Sequence, residues 1–343
     1  MIKETMKINI KRNNEMNKIK KNVDAYTDHP VITAPQIDKL SGVVDLKDAT
    51  YCGLVFSNIL DCLDDHEPGI VKTPVAGKYA LSVKIMFPSA EGFYPSNGAH
   101  LLLQISSPKM SKPQVRFEYN PSHLTEKVEE RLEDVFIMLF GMGFYQFLHH
   151  ARFTKVDVCR NIHGTDIEDY LFRAKWSKVA QCFFGADGKL ETVSFSKSGN
   201  NQMLVYDKAR QMHGPNVQHS TTRVEARCRI NLTISGLAVL KNPLSRLEIY
   251  SVECKHPPYG KAHWQGFQDS CRMRGITNAL KKQPPTERKV LRKILQDQPV
   301  QWWGMSDDDW EWLWTDALDS AGLLQIPDTA PPLTIAFHVG MAA

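Results

Sequence analysis

The stretch Met203-Leu204-Val205-Tyr206-Asp207-Lys208 predicts a β-strand that ends in three polar side chains. Apolar and aromatic residues of this kind favour strands, and similar short segments recur between residues 79 and 230. The predicted strands are residues 79–87, 100–105, 114–119, 152–161, 179–184, 190–196, 202–208 and 221–228. Short turns such as Gly185-Ala186-Asp187-Gly188 favour antiparallel pairing of neighbouring strands.

Three segments with apolar residues at helical spacing accompany these strands. They are residues 51–63, a long segment that begins at Ser122 or Thr125 and runs to about residue 150, and residues 166–176. The combination predicts an α+β fold, a largely antiparallel curved sheet with helices packed on one face. Beyond residue 232, helical segments alternate with prolines, which predicts a mainly helical C-terminal region.

The character of the chain changes at two points, which predicts three parts. Residues 1–45 are expected to form a basic flexible arm, residues 46–232 the sheet-forming domain, and residues 233–343 the helical C-terminal region. Five tryptophans lie between residues 302 and 314. We expect them to be core residues, although exposed tryptophans also serve as stacking platforms for nucleic-acid bases.

Composition excludes several classes of protein. The 343 residues are 42% hydrophobic and 23% charged, as in ordinary globular proteins. The longest apolar run, residues 135–148, is short for a membrane span, and the polar N-terminus does not resemble a signal peptide, so we expect no membrane partner. Seven scattered cysteines without a CxxC pair predict reduced thiols and a cytoplasmic location.

Positive charge is concentrated in two clusters, although the net charge is only +4. Residues 1–21 carry seven Lys or Arg against two Glu, and residues 271–294 carry eight against Glu287 alone. Such clusters suit the phosphate backbone of DNA, and Arg272, Arg274, Lys281 and Lys282 are the hypothetical contacts. The alternative is a solvated tail and a solvated helix face.

Three predicted strands each carry one carboxylate between apolar neighbours: Glu118, Asp157 and Glu225. Alternation places each carboxylate on the face away from the apolar residues. Carboxylates that converge on one face of a sheet suit a hard cation such as Mg²⁺ or Mn²⁺. The alternative is that they are solvated charges paired with nearby arginines. These arginines, which we also consider as DNA contacts, are Arg116, Arg223 and Arg227.

Tyr206 and Lys208 are the candidate catalytic residues. A tyrosine can attack a DNA phosphate if a nearby lysine favours the phenolate and offsets the developing negative charge. The alternative is a tyrosine that packs across strands beside a solvated lysine. Asp207 is left undecided between a neighbour of the metal and a surface charge.

Five segments carry a resemblance to the replication initiation factor family. Phe117-Glu118-Tyr119-Asn120-Pro121 is similar to the family's hydrophobic-Glu-Phe-Asn-Pro strand, and Thr154-Lys155-Val156-Asp157 to its Thr-Arg-hydrophobic-Asp strand. Residues 184–192 resemble its Tyr-Gly-x-x-Gly-Lys-x-Glu-Thr hairpin. Val205-Tyr206-Asp207-Lys208 and Arg223-Val224-Glu225 resemble its hydrophobic-Tyr-Asn/Asp-Lys and Arg-Val-Glu strands. The order and spacing agree over about residues 110–255.

That family comprises initiators of rolling-circle plasmids, similar filamentous-phage initiators and relaxases of integrative elements. The resemblance implies that Tyr206 nicks one strand and keeps the 5′ phosphate, which leaves a 3′ hydroxyl as primer. It also implies that Glu118, Asp157 and Glu225 are candidate ligands of Mg²⁺ or Mn²⁺. Two departures weaken the metal assignment, because Gln211 and Asn161 stand where the family often has acids.

The resulting prediction is a metal-dependent DNA strand transferase that starts rolling-circle replication. Residues 46–232 would form the catalytic nicking domain, and residues 233–343 would serve DNA recognition, dimerisation or both. Expected partners are the origin hairpin or its single-stranded nick site, with a host helicase, a polymerase and a second copy of the chain as further candidates. Three alternatives stay open: a conjugative relaxase with the same chemistry, a non-enzymatic DNA-binding regulator on the same fold, and a nuclease that uses only a metal and water.

Overall fold

The computed structural model describes residues 30–325 except 76, 176, 178–179, 197–200, 215–219, 254–256 and 298. The fold is α+β, with a large antiparallel sheet and a mainly helical C-terminal region, as predicted. The predicted arm falls partly outside this range, because residues 1–29 are not described.

The large sheet has the strand order β3-β4-β5-β6-β2-β7-β12-β11-β10-β9, and β1 pairs with one end of β7. Every one of these pairings is antiparallel. The strands are β1 (Val31–Ile32), β2 (Gln36–Asp45), β3 (Ile70–Lys72), β4 (Tyr79–Met86), β5 (His100–Ser106), β6 (Gln114–Tyr119), β7 (Arg152–His163), β9 (Ala180–Phe184), β10 (Leu190–Phe195), β11 (Gln202–Asp207) and β12 (Thr221–Leu232). A separate pair consists of β8 (Tyr170–Ala174) and β13 (Leu247–Ser251).

Helices cover one face of the sheet and build the C-terminal region. They are α1 (Ala49–Asp64), α2 (Glu126–Phe140), α3 (Phe144–His149), α4 (Lys208–His213), α5 (Ile234–Ala238), α6 (Lys261–Arg274), α7 (Ile276–Lys282), α8 (Pro285–Asp297) and α9 (Asp307–Ser320). Leu132, Val135 and Phe136 of α2 are fully buried in the same core as Phe117 of β6. The apolar spacing in the sequence therefore marks the face of α2 that packs on the sheet.

The predicted long helix is interrupted after α2. Thr125 caps its N-terminus by accepting a hydrogen bond from the Val128 amide, and Gly141 ends it with a left-handed φ of 68°. Glycine is the residue that adopts this conformation most readily, so the helix stops there and α3 begins after Gly143. The apolar pattern continues through the break because both helices pack on the same core.

Two local predictions are wrong. The sequence predicts residues 36–45 as part of the flexible arm, but they form β2, which lies between β6 and β7 with Ile37, Leu40 and Val44 buried. Residues 166–176 were predicted as a helix, but Ile167–Asp169 is a short 3-10 turn followed by β8. Pairing of β8 with β13, more than seventy residues later in the chain, overrides the local helical spacing.

The C-terminal region packs directly on the sheet-forming part of the chain. Trp303, Trp310 and Trp314 are buried in the main core, as predicted for these tryptophans, whereas Trp312 is exposed. A second core joins α6, α7 and α8 to Leu171 of β8 and Tyr250 of β13. The predicted boundary at residue 232 falls at the end of β12, but residues on its two sides share one hydrophobic core.

Two further sequence expectations concern membranes and cysteines. In the described ranges, helices of the length and apolarity needed to cross a bilayer are absent. The cysteines that these ranges include are free thiols: Cys52, Cys62, Cys159, Cys182, Cys228 and Cys271.

Candidate functional site

The strand register brings the predicted site residues of β7, β11 and β12 to one face of the sheet. Tyr206 lies opposite Arg223, and Arg227 lies opposite Asp157. Val205, Val224 and Val158 alternate with these residues and point into the helix-covered core. The polar residues therefore share the opposite face, which we call the open face.

Tyr206 is buried on the open face, with 8% of its surface exposed. Its hydroxyl donates a hydrogen bond of 2.9 Å to Oε2 of Glu225. Burial and the adjacent Glu225 carboxylate raise the pKa of Tyr206 far above its ordinary value, although Arg223 opposes the shift. The tyrosine is therefore a neutral phenol at physiological pH, held in contact with a base.

Glu225 belongs to a buried charge network that continues to Asp157. Arg227 Nε donates to Glu225 Oε1 at 2.6 Å and lies 4.0 Å from Asp157 Oδ2. Lys155 Nζ donates to the same Asp157 oxygen at 2.7 Å. We call these five residues, Tyr206, Glu225, Arg227, Asp157 and Lys155, the Tyr206 cluster.

Asp157 is the unusual member of the Tyr206 cluster. It is 2% exposed, and its Oδ1 is buried without a hydrogen-bond partner among the residues described. Burial raises the pKa of Asp157 and the nearby Glu225 carboxylate adds to this, while Lys155 and Arg227 oppose it. A buried carboxylate oxygen with no donor is costly, so its retention points to a ligand or a functional role.

Glu118 lies in a separate group on the same face. Its Oε1 accepts from Lys39 Nζ at 3.0 Å, and its Oε2 accepts from Arg116 at 2.7 Å and Ser41 Oγ at 3.0 Å. We call these four residues, Glu118, Lys39, Arg116 and Ser41, the Glu118 cluster. Burial alone would raise the pKa of Glu118, but its partners outweigh this and hold it below its usual range.

The structure thus brings together two of the three predicted metal ligands. No group of three or more acidic, His or Cys side chains with metal-binding geometry exists within the described residues. Asp157 fits a hard divalent cation by donor chemistry, because it is a carboxylate whose Oδ1 has no partner among the described residues. Both oxygens of Glu118 are engaged by Lys39, Arg116 and Ser41. Both oxygens of Glu225 are engaged as well, by Tyr206 and Arg227, so either glutamate would have to exchange a partner for a cation.

Lys208 and Asp207 have local partners. The strand ends at Asp207, whose side chain caps α4 by accepting from the Arg210 amide at 2.9 Å. Lys208 begins this helix and donates to Gln211 Oε1 at 3.0 Å. The structure therefore gives Asp207 a capping role, and a catalytic role for Lys208 stays a prediction.

A cavity of about 240 Å³ gives access to Tyr206 from the open face. Thr192, Arg227 and Gln211 line it beside Tyr206. Arg210 also lines it and is fixed by ion pairs to Asp187 at 2.8 Å and Glu191 at 2.9 Å.

Sequence reasoning did not single out Arg210 or Lys155. Lys155 had a usable signal, because it precedes Asp157 by two residues and therefore shares its strand face. No sequence signal marked Arg210, because its position depends on the packing of α4 against the β9–β10 hairpin.

The predicted DNA contacts fall into two places. Arg116 and Arg223 are ion-paired on the open face, Arg223 with Asp38 at 2.7 Å. Arg272 of α6 is bonded to Asp269 and to the Glu168 carbonyl oxygen. Arg274 at the end of α6, and Lys281 and Lys282 at the end of α7, are exposed.

Comparison with known proteins gives one finding at the level of structure. No protein-family model matches the sequence, and no curated protein matches it. Among solved structures, the rolling circle replication initiator protein from Geobacillus stearothermophilus aligns with a TM-score of 0.36 and 11% identity. The alignment covers 71% of this chain and 97% of that chain. A likeness at this level assigns neither a family nor an activity.

Proposed function

We propose that this protein initiates rolling-circle DNA replication by nicking one strand with Tyr206. The observation that carries the proposal is the hydrogen bond of 2.9 Å from the Tyr206 hydroxyl to Glu225, beside a cavity on the open face. A phenol in contact with a carboxylate base, with a cation next to it, is the arrangement that tyrosine attack on a phosphodiester requires. The order of motifs in the sequence supports the same activity.

The chemistry follows from the contacts of Tyr206. Its oxygen attacks the scissile phosphorus and passes its proton to Glu225, with which it is already hydrogen-bonded. The bond from phosphorus to the 3′ oxygen breaks, and that oxygen takes the proton from Glu225, directly or through a water molecule, which restores the Glu225 carboxylate. The products are a 5′-phosphotyrosyl ester and a free 3′ hydroxyl, and the reverse steps reseal the strand.

Arg227 is the residue best placed to stabilise the transition state. It lines the cavity beside Tyr206 and already contacts Glu225 at 2.6 Å. A guanidinium at this position offsets negative charge on the phosphate oxygens. Asp157, through its Oδ1, would hold a divalent cation, Mg²⁺ or Mn²⁺, beside Glu225, and the cation would supply Lewis-acid stabilisation of the phosphate.

The raised pKa of Tyr206 has a clear consequence for the mechanism. The phenolate does not form in the resting protein, because burial and Glu225 disfavour it. Deprotonation must accompany attack, so a base in contact is essential and Glu225 fills that role.

The residues C-terminal to β12 would bind origin DNA through Arg274, Lys281 and Lys282.

A nuclease that uses only a metal and water is the second candidate. The observations in its favour are the buried Oδ1 of Asp157, which has no partner among the residues described, and the raised pKa of Tyr206. The two functions differ in their products, because hydrolysis leaves no bond between the DNA and the protein.

Nicking of single-stranded origin DNA by Tyr206→Phe tests the proposal. We expect nicking to be lost while binding of the DNA survives, because only the attacking oxygen is removed. Tyr250→Phe is the matched control, since the Tyr250 hydroxyl donates to Glu248 at 2.7 Å and lies on the small β8–β13 pair. Undiminished nicking by Tyr206→Phe would leave the metal-only nuclease as the better account.

A further inference from the structure

Arg160 is a buried cation on the helix-covered side of the sheet. Its neighbours in sequence, Cys159 and Asn161, lie opposite Glu225 and Arg223 on the open face, so Arg160 points the other way. Only 9% of its surface is exposed. Arginine at this degree of burial is normally paired with a carboxylate.

The partners of Arg160 leave most of its guanidinium unused. Nε donates to the Thr33 carbonyl oxygen at 2.8 Å, and the guanidinium carbon lies 5.4 Å from the centre of the Trp303 ring. The other two nitrogens make no hydrogen bond, and no carboxylate forms an ion pair with Arg160, among the residues that the structure describes. Burial lowers the pKa of Arg160 to about 10, which still leaves it charged at neutral pH.

A cavity of about 400 Å³ lies against this guanidinium. Its size is typical of sites for small organic ligands. Lys175 adds a second positive charge to the lining and has 57% of its side chain exposed. The apolar part of the wall is formed by Leu244, Leu247, Ile249, Val300, Trp303 and Met305.

Among the described residues that line the cavity, Glu248 is the one that is acidic, and its charge is already engaged. It accepts from the Tyr250 hydroxyl at 2.7 Å and lies 3.5 Å from Arg173 Nε. Its distance to Lys175 is longer, at 4.0 Å. The positive charge of Arg160 is therefore not neutralised by Glu248.

We propose that this cavity binds a small phosphorylated ligand, with its phosphate on Arg160 and Lys175 and its organic part against the apolar wall. A phosphate supplies several oxygens to the free nitrogens of a guanidinium fork, and lysine adds a point charge. The proposal does not depend on the nicking activity, because Arg160 and Tyr206 lie on opposite faces of the sheet.

Calorimetric titration of the full chain tests this site, with deoxyadenosine monophosphate, deoxyadenosine, inorganic phosphate and a short single-stranded oligonucleotide as probes. We expect the monophosphate to bind at least ten times more tightly than deoxyadenosine. Inorganic phosphate is expected to compete, more weakly, because it has the charge but no organic part. Equal binding of deoxyadenosine and its monophosphate, or binding of the oligonucleotide alone, would overturn the proposal.

Variants assign the binding to this cavity. Arg160→Met should weaken monophosphate binding roughly 10- to 100-fold, and Lys175→Met roughly 3- to 10-fold. Arg152→Met is the control, because Arg152 lies on the same strand but is exposed and paired with Asp45. If Arg160→Met does not fold, Lys175→Met and Arg160→Lys decide, and wild-type affinity in both rejects the site.

Discussion

The Glu118 cluster and the Tyr206 cluster lie on the same face of one sheet but are built differently. In the Glu118 cluster each carboxylate oxygen has a donor, and the pKa of Glu118 is lowered. In the Tyr206 cluster one oxygen of Asp157 has no donor within the described part of the chain, and the pKa values of Asp157 and Tyr206 are raised. The first arrangement favours the ionised carboxylate of Glu118, whereas the second disfavours ionisation of Asp157 and Tyr206, a pattern that is common at functional sites.

The largest expected difference is between Glu225→Gln and Glu118→Gln in the nicking reaction. Glu225→Gln keeps the size of the side chain but removes the base in contact with Tyr206. We expect nicking to slow by about 100-fold or more, the usual contribution of a general base. Glu118→Gln should leave the nicking rate within about threefold, because its hydrogen bonds lie within its own cluster.

Rates are to be measured in single-turnover nicking of a labelled oligonucleotide, with circular dichroism to establish folding. Equal loss of rate in the two variants would show that the clusters do not differ in function.

A smaller difference is expected between two arginines. Arg227→Met removes a guanidinium that lines the cavity beside Tyr206, so nicking should slow roughly 10- to 100-fold. Arg116→Met removes a partner of Glu118 and should instead lower the free energy of unfolding, by about 1 kcal/mol. Urea denaturation and nicking assays on both proteins check this. A lower nicking rate for Arg116→Met than for Arg227→Met would contradict this difference between the two clusters.

The pH dependence of stability should have opposite sign in the two clusters. Because the folded pKa of Glu118 is lowered, its stabilisation is present above its ordinary pKa of 4.5 and is lost as pH falls through the folded value. Because the folded pKa of Asp157 is raised, stability falls as pH rises from its ordinary pKa of 3.8 through the folded value.

Urea denaturation of two amide variants at pH 4 and pH 7 checks these signs. Glu118→Gln should be about 1–2 kcal/mol less stable than the wild type at pH 7, with a smaller difference at pH 4. Asp157→Asn should be at least as stable as the wild type at pH 7, because a buried charge is removed. Marked destabilisation of Asp157→Asn at pH 7 would show that Asp157 serves the fold as Glu118 does.

The smallest expected effects lie outside both clusters. Lys281→Ala and Lys282→Ala should weaken binding of duplex origin DNA modestly and reduce the slope of log affinity against log salt by about 1 each. Nicking of a short single strand should be unchanged, because both residues lie at the exposed end of α7. An unchanged salt slope in both variants would remove these lysines from the proposed DNA surface.

Alternating apolar residues allowed most of the sheet to be predicted, as for β6, where Val115, Phe117 and Tyr119 are all buried. Such patterns succeed because they reflect which face of a strand is buried. They failed for β2 and β8, whose pairing partners lie far away in sequence. Only the folded chain brings those partners together.

The sequence predicted which residues belong to the candidate site, but not the hydrogen bonds that join them. Alternation placed Asp157 and Glu225 on one face, which the register confirms. The hydrogen bond from Tyr206 to Glu225 depends on the pairing of β11 with β12, which sequence spacing does not fix. Glu118 looked equivalent in sequence but is engaged by Lys39, a residue of the segment assigned to the flexible arm.

Mass spectrometry of the covalent product tests the central claim most directly. The wild-type protein is incubated with single-stranded origin DNA and Mn²⁺, digested with nuclease and protease, and searched for a peptide that carries a 5′-nucleotide. We predict one modified peptide, with the nucleotide on Tyr206 and none in Tyr206→Phe. Efficient nicking without any modified tyrosine, or with the nucleotide on another residue, would contradict the account.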